Sequence, residues 1–166
     1  MLTPRAKPRA GRARPATWEV LLNHADPLAE LYADGPMERI QLVKEGAPAE
    51  LVTVIADSMG MPKEQLYKTV GVKRATVDRK LRNHTRLSAN ESERFVGIAQ
   101  LVGQVELIVR ESGATDGFNA ARWVAGWLKR PLPALGGEPP ATFMDTAEGR
   151  GLVADLVAQM QTGAYA

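Results

Sequence analysis

The chain has 166 residues, enough for one ordinary domain or two small helical ones. Its 45% hydrophobic fraction includes only 5% aromatic residues, which favours helix-on-helix packing over an aromatic-rich β-sandwich. There is no cysteine for a disulfide framework or thiolate metal site, no apolar run near ~18 residues, and no apolar core behind the basic N-terminus; the expectation is a cytoplasmic all-α protein without a membrane span. The net charge of +2 hides a segregation, with +5 over residues 1–16, −6 over 17–62, +6 over 63–86 and −3 over 87–166. A localised basic patch attracts an anionic partner even when the whole molecule is nearly neutral.

Residues 1–16 combine Arg5, Lys7, Arg9, Arg12 and Arg14 with three prolines and almost no apolar anchor, so they read as a basic disordered arm. Such an arm either brushes nucleic-acid phosphates or is simply solvated. Residues 17–36 read as a helical extension. Thr17 caps a turn carrying Trp18, Leu21 and Leu22, and Asp26-Pro27 restarts a helix through Leu28, Leu31 and Tyr32. After Gly35-Pro36, Met37, Ile40 and Val43 recur at helical spacing until Gly46. A further helix starts near Pro48, with Leu51, Val54, Ile55 and Met59 on one face and Gly60 at its left-handed end.

Residues 61–83 (MPKEQLYKTVGVKRATVDRKLRN) pair Leu66 with Val70, break at Gly71-Val72, and pair Val77 with Leu81. Two short helices joined by a Gly-containing turn, each with a narrow apolar seam, form the pattern of a helix-turn-helix. The second helix displays Lys73, Arg74, Thr76, Arg79, Lys80 and Arg82. These are the cationic and hydroxyl groups a groove-reading helix would present to DNA; the competing reading is an ordinary solvated helix face. Ser88 and Glu91 form a capping box for a long helix to about Glu111, whose stripe of Phe95, Ile98, Val102, Val105 and Val109 is broadened by Leu101 and Ile108. That width predicts a helix lying between two halves of the protein or at a dimer interface. Phe118–Lys129 reads as a shorter helix with Trp123 and Trp127, stopped by Pro131 and Pro133. A turn at Leu135-Gly136-Gly137, one helical turn over Pro140–Met144, and a helix over Ala147–Gln161 capped by Thr146 complete the chain. The last helix carries Leu152, Val153, Leu156, Val157 and Met160 on its apolar face.

Catalysis is not expected. His24 and His84 stand sixty positions apart beside turn signals, the serines sit in cap or helix-end contexts, Gly136-Gly137 follows no strand or Walker lysine motif, and no metal-ligand cluster appears. No cofactor is implied.

Two stretches resemble one family in the same order. LYKTVGVKRATVDRKL with LSANESERF is similar to the Xre-type helix-turn-helix of the Xre/MbcA/ParS antitoxins, and FNAARWVAGWLKRPLPALGGEPP, Asp145-Thr146, Gly149 and the helix ending at Gly163 resemble their toxin-binding domain. The resemblance spans roughly residues 37–163. It implies a helix-turn-helix domain over 37–86 and a small helical toxin-binding and dimerisation domain over 88–166. It further implies a homodimeric antitoxin that sterically neutralises a RES-domain, NAD-consuming toxin and represses its own operon by binding operator DNA. Trp123, Trp127, Leu135, Phe143, Met144 and Tyr165 become candidate toxin contacts, since aromatic side chains are common interface anchors, although a tryptophan on a helix of a small domain serves equally as core. The alternative is a helix-turn-helix transcriptional regulator whose C-terminal domain only dimerises or senses a ligand.

Overall fold

In the computed structural model, which describes residues 17–163, the secondary structure among the described residues is helical apart from one isolated antiparallel bridge between Pro48 and Arg86. The basic arm of residues 1–16 and Tyr165 lie outside the described residues. The helices are α1 (Trp18–Leu22), α2 (Pro27–Ala33), α3 (Pro36–Glu45), α4 (Glu50–Met59), α5 (Lys63–Val70), α6 (Arg74–Arg82), α7 (Ala89–Ser112), α8 (Ala120–Trp127) and α9 (Ala147–Gln161), with 3₁₀ turns at Pro133–Leu135 and Pro140–Phe143. None of them is long and apolar enough to cross a membrane.

Helix starts follow the cap chemistry written in the sequence. Thr17, Asp26, Ser88 and Thr146 each accept a hydrogen bond from a first-turn backbone N–H, and Ser88 with Glu91 closes a full capping box. One boundary differs from the sequence reading. Asn119 caps α8 by accepting from the Arg122 N–H at 2.9 Å, so the helix begins at Ala120 and Phe118 stays outside it.

α7 is the spine of the molecule. It packs against α2, α3, α4, α5, α8 and α9, so the broad stripe is used on several sides. Gly103 makes the α2–α7 crossing close, because a Cβ there would collide with Tyr32 and press on the Leu28 carbonyl oxygen. The helical extension is therefore part of the core. Trp18 is 2% exposed, and its indole N–H donates to the Leu42 carbonyl at 2.9 Å. The loop entering α4 is stapled to the segment after α6: Leu87 N–H donates to Ala47 O at 2.8 Å, and Ala47 N–H to the buried Ser92 Oγ at 2.8 Å. On α9, Val153, Leu156 and Val157 are buried, whereas Leu152 lies 43% exposed at the margin of the face that the sequence assigns it to.

Candidate functional site: a cationic helix and an apolar groove

The helix-turn-helix consists of α5, a turn at residues 71–73, and α6. Gly71 caps α5 at φ 73°, a left-handed conformation that a side chain would strain, and a Cβ there would crowd Asp145 and Arg94. Leu66, Val70 and Val77 are fully buried and hold the two helices together. The Tyr67 hydroxyl donates to Asp78 Oδ1 at 2.8 Å, fixing the angle between them. That hydrogen bond is the leading reason the Asp78 carboxyl sits below its ordinary range, with burial opposing and Arg74 assisting; burial and the same aspartate push the Tyr67 phenol well above its usual value.

The six candidate DNA contacts have different surroundings. Lys73, Arg79 and Arg82 are exposed, and Thr76 is half-buried beside them. Arg74 is exposed but engaged, paired with Glu64 of α5 and, at 3.2 Å, with Asp78. Lys80 turns the other way. Its side chain is 20% exposed and its ammonium lies 2.6 Å from Glu91 of α7; although burial opposes it, that contact and the Ser88 N–H hold the Glu91 carboxyl below its ordinary value. The outward surface of α6 thus offers Lys73, Arg79 and Arg82 for phosphate or base contact, with Lys80 fastening the helix from behind.

The helix-turn-helix and the C-terminal helices meet at Arg94. Its guanidinium donates to Val70 O at 2.9 Å, at the end of α5, and to the carbonyl oxygen of Asp145, which precedes the α9 cap. Arg150 of α9 lies 3.5 Å from Glu93 with only 11% of its side chain exposed, and burial lowers its affinity for the proton.

Of the toxin-contact candidates, Trp127, Leu135 and Met144 are 4%, 9% and 1% exposed. They face this chain's own core and shape the surface from beneath, because α8 and the connector fold back over one another: Ala141 N–H donates to Leu128 O at 2.9 Å and Leu132 N–H to Glu138 O at 3.1 Å. Phe143 is half-buried against the same core. Trp123 is also half-buried but borders solvent. It stacks on Trp127 with centroids 5.7 Å apart and planes 12° from parallel, and Phe118 tilts over it at 6.3 Å. These two rings form one wall of an apolar groove of about 230 Å³, whose floor and far side are Val105, Ile108 and Val109 of α7 and Val157 and Met160 of α9. The sequence reading placed Phe118 within a helix and did not single it out; Asn119, a favoured cap residue, was the signal that it precedes one.

Comparison with known proteins agrees with this two-part layout. Residues 38–100 match the antitoxin Xre-like helix-turn-helix domain, and residues 114–163 match the antitoxin Xre/MbcA/ParS C-terminal toxin-binding domain. The chain is 42% identical over 136 residues to the Prs ADP-ribosylating antitoxin of Sphingobium sp. (strain YBL2), covering 82% of this chain and 86% of the relative. It is 24% identical over 123 residues to the antitoxin Xre of Photorhabdus laumondii, covering 74% and 77% of the two chains, and 25% identical over 136 residues to that of Yersinia enterocolitica, covering 72% and 86%.

Proposed function

The chain belongs to the Xre/MbcA/ParS family of antitoxins, and we propose that it binds a RES-domain toxin that consumes or transfers from NAD, covers that enzyme's cleft with its C-terminal helices, and represses its own operon through α5 and α6. The observation that carries this reading is the match of residues 114–163 to the toxin-binding domain, together with a relative named for Prs ADP-ribosylation at 42% identity. Neutralisation is steric in this reading: a rigid helical surface seated over a nucleotide cleft excludes NAD without chemistry of its own. The exposed cations Lys73, just before α6, and Arg79 and Arg82 on it support operator binding, with the chain acting as a homodimer on a two-fold operator. All of this would take place in the cytoplasm, without a cofactor.

The test is growth. Where the adjoining reading frame encodes a RES-domain protein, inducing it should arrest cells, and co-inducing the full chain should restore growth to the uninduced rate. Continued arrest with the chain abundant would refute the reading. A plain regulator would occupy the operator and leave the arrest untouched.

A further inference from the structure

The apolar groove between the C-terminal half of α7, Phe118-Trp123 and the end of α9 has no partner within the described residues, although the surrounding helices are well packed. Phe118 is 38% exposed at its mouth. Ile108, Val109, Trp123 and Met160 are only partly covered, while Val157 at its floor is buried. The volume of about 230 Å³ falls below the roughly 300–1,000 Å³ of small-molecule pockets and suits a single large side chain. Two carboxylates border it: Glu106, which lines an adjoining cavity with Phe118 and pairs with Arg110 at 3.2 Å, and Glu111. Glu111 is fixed at the edge, where it accepts from the Nε2 of Gln161, itself a lining residue, at 3.3 Å.

We infer that this groove is the anchor pocket for the toxin, and that its occupant is a toxin segment presenting one large aliphatic or aromatic side chain flanked by lysine or arginine. The inference rests on the antitoxin reading above and names the surface that makes the contact. The groove lies within and beside the stretch matched to the toxin-binding domain. A second copy of this chain is the poorer fit, because two-fold self-docking would bring acidic rim against acidic rim. Tight interfaces concentrate their energy in a few desolvated aromatic and aliphatic contacts surrounded by polar groups that exclude water, and this groove has that construction.

Calorimetric titration of the full chain with its cognate toxin tests it, using Phe118→Ala, Met160→Lys and Glu111→Lys, with thermal unfolding of each variant as the control for fold. Phe118→Ala should weaken binding by about thirtyfold, the cost of losing one hot-spot side chain. Met160→Lys should abolish detectable binding, and Glu111→Lys should weaken it by about fivefold. Variants that melt with the wild type and bind within about threefold of it would overturn the groove assignment while leaving the antitoxin reading intact. Loss of self-association in place of toxin binding would make the occupant a second copy and would equally overturn it. A wild-type chain that forms no complex with the toxin would overturn the antitoxin reading and this inference with it.

Discussion

The Lys80 ammonium and the Glu91 carboxylate meet at 2.6 Å, and the same carboxylate oxygen accepts the Ser88 N–H at 2.8 Å to close the α7 capping box. One acidic side chain thereby fastens the cationic helix α6 to the start of the long helix that continues into the C-terminal module. Replacing Glu91 with Ala removes half of the cap and leaves a mostly buried ammonium without its partner. The expected loss is about 2 kcal/mol of stability, read by thermal or urea unfolding. Ser88→Ala, which removes only the other half of the box, should cost about 1 kcal/mol.

The same pair sets a pH dependence. The Glu91 carboxyl titrates below its ordinary value of 4.5 in the folded chain, so its stabilising contribution is complete above that value and disappears as the pH falls through the lowered one. The stability gap between wild type and Glu91→Gln should be constant near neutrality and close as the pH drops below 4.5. A gap that widened on acidification would contradict the geometry at α6 and α7.

Cations on α6 divide into outward and inward sets, and operator binding should divide with them. Arg79→Ala and Arg82→Ala should each weaken operator affinity and reduce the salt slope by about 0.9 without lowering the melting temperature. Lys80→Ala should do the reverse, destabilising the fold by about 1 kcal/mol with a smaller change in salt slope. Electrophoretic mobility shifts across a salt series, paired with melting curves, separate the two patterns.

Gly103 tests how closely the N-terminal extension is built into the core. Gly103→Val would drive its side chain into Tyr32 and the Leu28 carbonyl, so the α2–α7 crossing would have to open. A loss of about 3 kcal/mol is expected, far above the few tenths typical of an exposed helical site.

Much of this was legible in the sequence, and the reasons for the remainder are physical. Thr17, Asp26, Ser88 and Thr146 announce helix starts because a cap acts on backbone within three residues, a range that sequence patterns capture. The pairs Leu66–Val70 and Val77–Leu81 on either side of Gly71 likewise located the helix-turn-helix. Contacts between distant residues were not legible: Lys80 reads as one of a run of surface cations until Glu91, eleven positions on, is found against it. Arg94 similarly gives no sign that it joins Val70 to Asp145. Among the aromatic candidates, composition could not separate Trp123 at the groove from Trp127 beneath it, since both lie on the short apolar helix α8 and only tertiary packing decides which ring borders solvent.

The most direct measurement is a titration of purified toxin with the full chain while following NAD consumption. Activity should fall linearly to zero at a fixed molar ratio, and size-exclusion chromatography of the endpoint should give one complex containing both proteins. Undiminished NAD turnover in a large excess of this chain, or two separate peaks at that endpoint, would contradict the proposal that its C-terminal helices seal the toxin's cleft.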